Sequence, residues 1–569
     1  ASDVQLDIYN NNLDYFESAE VPVILSEELF TNIDFSILNP GTAYGRLRVV
    51  YPGDPVPSVS DIVIYTYIPN DLAHVAGIIT DSPQTPLSHI NLKAKQNDTP
   101  NAYMRDAIYD PQVAPLIGDL VKYQVTGDGI VLEPATQQEV DDWLESVRPD
   151  PQTPEFDLSA TEPSLLSDLS SADWVRYGAK AANVAELAPA LAGLEIEYGH
   201  QIVPRGYAVP FAMYNDYMNL PRCQELEQDD SGNLVPDGKY RALCDTERPT
   251  SVRNTESMSF YQQIENLMAD DDFESSPSTR KTVLKAFRKD IAKGQVPEPM
   301  IATLETMRLF WDPSGAPYTK NIRLRSSSNN EDLEGFNGAG LYESNTHKPD
   351  EGDIAESVKK VWASLWTHRA YEERRFYRID HFKTYMGVLA HESYGDEQAN
   401  GVAVTKNIFD ENWEGYYVNA QYGEISVTNP EPIETSEGLI NSVAEEFLLS
   451  YLPAGDDLSN PDNWWWAQLY IRHSNVETVY DQPVMTENVL TPEETEQLRR
   501  VMQKVQAHFK SIYQGDSRFA MDIEFKITAT DDGSRGQSES GPVYRLVSPS
   551  LAHHEPTQPQ IRSTACHAR

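Results

Sequence analysis

Alternating apolar and polar positions divide the chain into two regions of strands and helices. In the first region, short apolar runs bounded by turn residues predict five strands: Arg46–Tyr51, Ile62–Tyr67, Gly77–Thr80, Leu120–Thr126 and Ile130–Glu133. A helix is expected from about Ser88, between the third and fourth strands. This alternation predicts a small α/β domain over residues 41–135, preceded by an irregular extension over residues 1–40.

Residues 136–160 are predicted to connect this domain to the second region. They contain a short helix, Gln137–Val147, and the proline-rich run VRPDPQTPEFD, which is typical of a linker. The second region, residues 161–550, predicts a larger α/β domain. In it, residues 252–311 are mostly helical, Asp353–Asp380 is one long amphipathic helix, and Thr491–Tyr513 is a helix that begins with a capping box. Residues 221–250 look like an insertion, and residues 551–569 like a disordered tail.

Composition excludes some classes of function. The 569 residues carry a formal net charge of −43 and a sequence pI near 4.5, and so negative a field repels nucleic acids and anionic membranes. No run of roughly 18 or more apolar residues occurs, so no transmembrane helix is expected. The chain opens at Ala1 without an initiator methionine, which indicates a processed or trimmed form from which any signal peptide has been removed.

The positions of the three cysteines bear on the cellular compartment. Cys223 and Cys244 flank a polar segment rich in aspartate, glycine and turn residues, whereas Cys566 lies in the tail. Either a disulfide closes this loop, which would stabilise it and place the protein outside the cytoplasm, or the two are unrelated free thiols. Strong acidity fits a salty or extracellular setting, so an extracellular or periplasmic location is expected and a cytoplasmic one is the alternative.

Candidate chemistry is concentrated in residues 321–344, NIRLRSSSNNEDLEGFNGAGLYES. An apolar strand carries Arg323 and Arg325 on one face at a period of two, and a polar run with the acidic pair Glu331 and Asp332 follows. Arginine binds phosphate oxygens, flexible serine and glycine backbone lets N–H groups approach an anion, and a carboxylate can hold Mg²⁺ beside it. By residue types alone, an ordinary strand followed by a polar turn and a loop explains the stretch as well as a phosphate-binding site does.

This stretch resembles the RSSxxxEDLxGxxxAGxYES signature of the PEP/pyruvate-binding type of ATP-grasp domain, found in PEP synthases, pyruvate phosphate dikinases and α-glucan water dikinases. Its AGLYES ending looks most like the glucan dikinases. In residues 174–191, GAKAANVAEL resembles the GGKxANLxEL segment that opens this domain, and Lys180 aligns with the phosphate-binding lysine. The resemblance implies that Lys180, Arg325 and Glu331 bind the nucleotide.

A second motif of the same family lies in the first domain. There, TDSPQTPLSHINLKAKQNDTPNAYMRDA resembles the TSHxxIxARxxGxPA signature of the swivelling phosphohistidine domain, and His89 aligns with the phosphorylated histidine. At a helix N-terminus the dipole disfavours a positive histidine, so the imidazole is neutral and nucleophilic near pH 7, and the same N–H groups would hold a transferred phosphoryl group. Taken alone, a histidine at a helix start is more often a cap or a core residue.

Three further residues complete the predicted site. The run VWASLWTHRAYEERR resembles the WASKWNERAYxSxRK of glucan dikinases and places Arg369 where it would meet phosphate; a surface ion pair with Glu373 is the alternative. FAMDIEFKI alternates as a strand and resembles the family's DIEW segment. Its Asp522 and Glu524 share one face, as two metal-bridging carboxylates require, although a solvated strand face would look the same.

The sequence departs from the family pattern in two places. The hinge VxVxxQ reads VLAHE, so His391 or Glu392 stands where glutamine is usual. The closing YxLQxRP reads VYRLVSPS, which puts Val547 in place of the metal-site glutamine and Pro549 in place of the phosphate-binding arginine. The barrel domain of PEP synthases and the carbohydrate-binding modules of glucan dikinases find no counterpart in these residues.

We therefore expect an α/β multidomain protein, with a small swivelling phosphohistidine domain followed by a PEP/pyruvate-binding-type ATP-grasp domain. The implied reaction is that of a dikinase, which uses ATP and Mg²⁺ and relays the β-phosphoryl group through His89, with Arg325 and Arg369 as further catalytic residues. The acceptor would be a small molecule or, as the AGLYES ending suggests, a glycan. The alternative is an inactive secreted relative with a structural or binding role. Such a protein could self-associate or assemble on a surface.

Overall fold

The computed structural model describes the chain in segments from residue 35 to residue 551. The described ranges are 35–51, 54, 57–66, 74–81, 94–95, 97–127, 129–229, 232–244, 252–253, 257–311, 320–331, 333, 336, 338, 341–394, 397–408, 414–425, 427, 433–435, 438–440, 444–451, 468–472, 488–513, 520–528 and 543–551, with the backbone alone at 234, 236, 252–253, 433–435, 438–440, 468–472 and 543–551. They fall into two compact units, which divide between Pro149 and Asp150.

The first unit is built on one mixed β-sheet. Its strands are β1 (Phe35–Asn39), β2 (Gly41–Val50), β3 (Asp61–Tyr65), β4 (Gly77–Thr80), β5 (Asn101–Met104), β6 (Leu120–Thr126) and β7 (Gly129–Pro134), in the spatial order β1-β5-β4-β3-β2-β6-β7. Strands β2 to β5 pair in parallel, and the other neighbours are antiparallel. The central strands β3 and β4 are buried along their whole length, which is why they read as continuous apolar runs.

The five strands predicted in this region are confirmed to within a few residues. The prediction missed β1 and β5, which are five and four residues long. Helix α1 (Gln137–Val147) has the predicted bounds, begins at a capping box formed by Thr136 and Glu139, and packs Trp143 against the core of the sheet. Short 3-10 helices cover Ala107–Tyr109 and Ala114–Leu116.

The second unit contains the remaining described elements. Its strands are β8 (Ser164–Leu165), β9 (Gly206–Val209), β10 (Arg222–Gln228), β11 (Leu234–Leu243), β12 (Val252–Arg253), β13 (Ile322–Ser328), β14 (Asn345–His347), β15 (Met386–Glu392), β16 (Glu397–Val404), β17 (Gly415–Tyr422), β18 (Ile433–Thr435), β19 (Gly438–Ile440), β20 (Glu445–Ser450), β21 (Gln468–Arg472), β22 (Met521–Thr528) and β23 (Val543–Leu551). Its α-helices are α2 (Trp174–Tyr177), α3 (Ala179–Tyr198), α4 (Phe211–Asn219), α5 (Phe260–Met268), α6 (Asp271–Ser275), α7 (Pro277–Lys293), α8 (Glu298–Glu305), α9 (Arg308–Trp311), α10 (Ile354–Ser364), α11 (His368–Phe376) and α12 (Pro492–Ile512). Short 3-10 helices cover Leu166–Asp168 and Ser171–Asp173.

Two antiparallel sheets organise this unit. A five-stranded sheet has the order β14-β13-β15-β9-β8, and a six-stranded sheet has the order β21-β20-β17-β16-β22-β23. The five-stranded sheet and a layer of helices that includes α4, α5, α7, α10 and α11 enclose a first hydrophobic core. A second core contains α3, α12 and the six-stranded sheet, together with Ala208 and Leu389 from the five-stranded sheet. The predicted α/β multidomain class is confirmed.

The prediction of one long helix over Asp353–Asp380 is wrong, because the segment forms two helices. The chain leaves α10 after Ser364, and the hydroxyl of Thr367 then caps α11 by accepting a hydrogen bond from the Ala370 N–H at 3.1 Å. The apolar positions continue at helical spacing across the break, so periodicity alone does not reveal it. The predicted buried face is nevertheless confirmed, since the apolar side chains of α10 lie in the first core.

Other helix predictions hold. Residues 257–311 are mostly helical, and α12 begins with the predicted capping box of Thr491 and Glu494. Within the described ranges, none of the helices combines the length and the apolar composition that crossing a membrane requires.

The stretch predicted as an insertion contains a hairpin of β10 and β11 that a disulfide closes. Of the two alternatives for Cys223 and Cys244, the structure contains the bridge. Arg222 anchors the base of the hairpin, because its buried guanidinium donates hydrogen bonds to the carbonyl oxygens of Arg241 at 2.9 Å and Gln295 at 3.1 Å. The hairpin is therefore fixed at its base both covalently and by a buried cation.

Removal of this bridge is expected to lower stability. In the chain-entropy model, a disulfide between residues 21 positions apart contributes about 3 kcal/mol to the free energy of unfolding. We expect Cys223→Ser combined with Cys244→Ser to shift the urea midpoint of unfolding, followed by circular dichroism, by a corresponding amount. The parent protein under reducing conditions is the matched control and should unfold like the variant; equal midpoints for the oxidised parent and the variant would contradict a stabilising bridge.

Candidate functional site

Strand β13 presents its two faces to different surroundings. Its first apolar residues are buried in the first core, whereas Arg323 and Arg325, at the alternate positions, project from the opposite face. The neighbouring strand β15 extends this face, because Arg323 is registered with His391 and Arg325 with Leu389. Leu389 contributes to the second core, so the two arginines lie beside that core.

Strand β22 alternates in the same way. Its apolar residues are buried in the second core, and Asp522, Glu524 and Lys526 occupy the half-buried positions between them. The guanidinium of Arg325 forms an ion pair with the carboxylate of Glu524, although the two residues are 199 positions apart in sequence. This contact joins the polar face of the five-stranded sheet to that of the six-stranded sheet.

Three cations converge on Glu524. Desolvation raises the pKa of this carboxyl group, but Arg325 lowers it through its charge and hydrogen bond, and the charges of Lys180 and Arg323 lower it further. The net pKa lies below the usual value for glutamate, so the group is ionised at neutral pH. Its side chain is 44% exposed.

Lys180 lies in the first turn of α3 and forms an ion pair with Glu331, which lies three residues after the end of β13. The other carboxylate oxygen of Glu331 accepts a hydrogen bond from the Ser328 N–H at 3.3 Å. These two residues, each predicted to bind the nucleotide, are 151 positions apart in sequence. The structure therefore assembles Lys180, Arg325, Glu331 and Glu524 at one place.

A glycine lets the start of α3 approach β13 closely. Gly178 has a φ of +88°, and a Cβ atom there would lie 2.1 Å from the carbonyl oxygen of Ser327. The Ser327 hydroxyl accepts a hydrogen bond from the Ala181 N–H at 3.0 Å, so it satisfies one of the N–H groups that a helix start leaves without a helical partner. These contacts fix the position of the helix turn that carries Lys180.

His391 is buried on the same face as the two arginines. Its Nδ1 lies 2.7 Å from the carbonyl oxygen of Glu392, which can only accept, so Nδ1 carries the proton and Nε2 is an acceptor. Burial, and then the positive charges of Arg325, Lys526 and Arg323, lower the pKa of His391 to about 3. The imidazole is therefore neutral at pH 7, although it stands among cations.

The remaining predicted site residues have separate positions. His89, like Cys566, lies outside the described residues. Arg369 is half-buried near the start of α11, a helix that packs against α7. Asp522 lies two positions before Glu524 on the same face of β22, as predicted.

Strand β23 brings the divergent C-terminal motif next to the cluster. It pairs antiparallel with β22 and places Pro549 opposite Ile523. The register shifts by one residue between Glu524 and Phe525, and Val547 is the additional residue at this bulge. The two positions where the family pattern has glutamine and arginine therefore lie, in backbone register, beside the predicted metal carboxylates.

Sequence reasoning missed Lys526. Its ammonium group forms an ion pair with Glu397, and its charge reaches His391. In FAMDIEFKI, Lys526 is in phase with Asp522 and Glu524, so the alternation that indicated the two carboxylates also indicates this lysine.

Comparisons with known proteins agree with this region. Residues 175–427 match the family model described as the pyruvate phosphate dikinase, AMP/ATP-binding domain. The chain is 34% identical over 102 residues to a probable phosphoenolpyruvate synthase of Pyrococcus horikoshii and 28% identical over 140 residues to a probable phosphoenolpyruvate synthase of Methanocaldococcus jannaschii. It is also 28% identical over 104 residues to YvkC of Bacillus subtilis, an uncharacterized phosphotransferase.

These matches are partial. Each covers between 18 and 24% of this chain and 12% of the relative. The fold and the matched model define the class of this region as an α/β nucleotide-binding domain. Residues 175–427 are thus similar to the AMP/ATP-binding domain of pyruvate phosphate dikinases and to phosphoenolpyruvate synthases, which confirms the resemblance for this part of the chain.

Substitution of Gly178 tests the close approach of α3 and β13. We expect Gly178→Ala to lower the free energy of unfolding by about 2 kcal/mol or more, because the positive φ and the nearby carbonyl oxygen both disfavour a Cβ atom. Gly193→Ala, in the same helix, is the matched control: no atom lies within 4 Å of its Cβ position, so it should raise stability by about 0.5–1 kcal/mol. Urea unfolding measures both, and shifts of the same sign would contradict the analysis.

The lowered pKa of His391 predicts acid sensitivity. The unfolded chain binds a proton at this residue below its usual pKa of about 6.5, whereas the folded chain does so only near pH 3, so stability is lost as the pH falls through this window. Between about pH 7.5 and about pH 5 the expected loss from this residue is about 2 kcal/mol. His391→Gln should reduce the difference between urea unfolding free energies at these two pH values by that amount. An unchanged difference would mean that the imidazole is charged in the folded protein.

Proposed function

We propose that this chain is an ATP-dependent phosphotransferase, in which the second unit binds the nucleotide and His89 of the first unit carries the transferred phosphoryl group. The observation that carries the proposal is the convergence of Lys180, Arg323 and Arg325 on Glu524. The three cations lie within the region that matches an AMP/ATP-binding family. Relatives named as phosphoenolpyruvate synthases and as a phosphotransferase support the reaction class.

The ion pairs of the cluster suggest how a triphosphate would bind. Pairing with Glu331 and Glu524 holds Lys180 and Arg325 beside β13, so a ligand need not order these long side chains itself. Phosphate oxygens are alternative acceptors for the same cations, and the planar guanidinium suits bidentate contact with phosphate. By the family resemblance, Arg369 would be a further cation at the phosphates.

Mg²⁺ fits the carboxylates of this cluster. Asp522 and Glu524 lie on one strand face, and the lowered pKa keeps Glu524 ionised. The described residues contain no group of three metal-ligating side chains, but Mg²⁺ in nucleotide sites is commonly held by one or two carboxylates together with phosphate oxygens and water. Asp522 and Glu524 would hold the ion, which would neutralise charge on the transferring phosphoryl group.

The relay assigns a covalent role to His89. A neutral imidazole nitrogen would attack the β-phosphorus of ATP, and the bond from that phosphorus to the α-phosphate oxygen would break, which releases AMP. Water would then cleave off the γ-phosphate as inorganic phosphate and leave the β-phosphoryl group on the histidine. An acceptor hydroxyl would take this group and lose its proton as the histidine nitrogen is released. The first unit would act as the swivelling carrier and the second as an ATP-grasp domain.

We propose a glycan hydroxyl as the acceptor, on the likeness of the AGLYES segment to glucan dikinases. The disulfide and the net charge of −43 support an extracellular or periplasmic location. They also support a second candidate function, a secreted relative that keeps the fold and has a structural or binding role. Val547 and Pro549, which replace the family's glutamine and arginine beside β22, favour this second candidate.

Labelling with ATP distinguishes the two candidates. Incubation with Mg²⁺ and ATP labelled separately at the β and γ positions should place β-label, in acid-labile form, on His89 and release AMP and phosphate. Lys180→Met and Arg325→Met should each slow labelling about 100-fold or more, because each removes a charge that stabilises the transferring group. Arg500→Met, which removes an arginine paired with Glu197, is the matched control and should label like the parent.

The outcomes separate the roles of the residues. His89→Asn should abolish the label but leave ATP binding intact, as measured by equilibrium dialysis. A label that persists in this variant would show that another residue carries the phosphoryl group. Neither label nor nucleotide binding in the intact parent would reject the phosphotransferase and favour the second candidate.

A further inference from the structure

A polar cavity lies on the helical side of the second unit, apart from the residues of the candidate nucleotide site. Its volume is about 550 Å³, which is in the usual range for small-molecule sites. Residues from α4, the base of the disulfide hairpin, α5 and the segment before β15 line it. Three amide side chains, two serines, three aromatic rings, one proline, one carboxylate and one ammonium group form this lining.

A buried asparagine holds one side of the cavity. Asn329 is 3% exposed, and its carbonyl oxygen accepts a hydrogen bond from the Tyr385 N–H at 2.8 Å. Its amide group donates to the carbonyl oxygens of Lys383 at 2.9 Å and Glu155 at 3.1 Å. Because this network fixes the backbone of the lining residues Lys383 and Tyr385, the cavity wall is pre-formed and a ligand need not order it.

A second part of the lining is fixed by the start of α5. The Ser259 hydroxyl accepts a hydrogen bond from the Gln262 N–H at 3.2 Å, and the side-chain oxygen of Gln262 accepts one from the Ser259 N–H at 2.9 Å. This capping box orients the Gln262 amide and uses only its oxygen, so its NH₂ group is available to a ligand. The carboxylate of Glu265, one turn further along the helix, makes no hydrogen bond or ion pair with any described residue.

The cavity also contains an aromatic surface. The rings of Tyr261 and Phe382 are both half-buried, with centroids 5.8 Å apart and planes inclined at 57°. Lys383, another lining residue, makes a cation–π contact with its ammonium group 5.3 Å from the centre of the Phe156 ring. Aromatic faces suit the C–H faces of a sugar ring, whose hydroxyl groups would reach the amides and the carboxylate.

We propose that this cavity is a binding site for a neutral saccharide. One carboxylate and one ammonium group balance each other, so a phosphorylated ligand would meet a single cation in a chain of net charge −43. An apolar peptide would leave the Gln262 NH₂ group and the Glu265 carboxylate without partners, which costs free energy. Sugar hydroxyls both donate and accept, and therefore match a lining of amides, hydroxyls and one carboxylate. The site binds the saccharide whether or not this ligand is a phosphoryl acceptor.

Calorimetric titration of the whole protein tests the site. Maltopentaose, cellopentaose and chitopentaose are titrated in turn without nucleotide, so the result does not depend on ATP binding or phosphotransfer. At least one of the three should bind, and both Glu265→Gln and Phe382→Ala should raise its dissociation constant about tenfold or more, through loss of a charge-assisted hydrogen bond and of an aromatic contact, respectively.

Glu298→Gln is the matched control, because it removes an exposed carboxylate at the start of another helix, α8, and should bind like the parent. Thermal unfolding shows whether the Phe382→Ala variant is folded. If that variant is unfolded, Glu265→Gln still tests the site, because it changes only the charge of an exposed side chain. Failure of all three saccharides to bind, or binding that survives both cavity substitutions, would overturn the proposal.

Discussion

Strand β13 lies between a hydrophobic core on one face and a polar, charged cluster on the other. The arrangement of both sheets of the second unit depends on which of its residues point to each face. Its apolar residues hold the five-stranded sheet against the helical core, and this placement sends Arg323 and Arg325 to the other face. A shift of one residue in its register with β15 would exchange the two sets and bury both arginines among aliphatic side chains. The period of two thus fixes the core and the position of the candidate site together.

The cations on this face need partners because they are partly desolvated. Arg325 has a side-chain exposure of 13%, and a charge in such a place is costly unless a carboxylate or a ligand compensates it. Glu524 and Glu331 supply this compensation from two different elements and keep the cations charged and in place. The same arrangement would be useful for phosphoryl transfer, since donors that are already oriented need no reorganisation when negative charge moves.

Local patterns predicted local structure well. Strands β4 and β6 and helix α1 have the predicted bounds, because their alternation and capping residues lie within the segments themselves. The break between α10 and α11 was missed, since it depends on a cap at Thr367 within an unbroken apolar pattern. Periodicity also could not predict the pairs Lys180–Glu331 and Arg325–Glu524, which span 151 and 199 positions; family motifs indicated the individual residues but not the pairing. Because its lining comes from four separate segments, the cavity had no sequence signal.

The polar run Ser326–Glu331, which begins in the last three residues of β13, shows why residue types alone left its role open. A solvated loop and an anion-binding turn were both compatible with Ser326–Glu331, yet all six residues are buried. Ser327 binds the start of α3, Asn329 holds the cavity wall, and the Asn330 side chain accepts a hydrogen bond from the Tyr342 hydroxyl at 2.9 Å. The small polar residues of this run therefore contribute internal hydrogen bonds and not backbone flexibility. The side chains of Ser327, Asn329, Asn330 and Glu331 each have an internal partner, and these contacts favour one conformation, because a shift of any of the four would leave donors and acceptors unpaired.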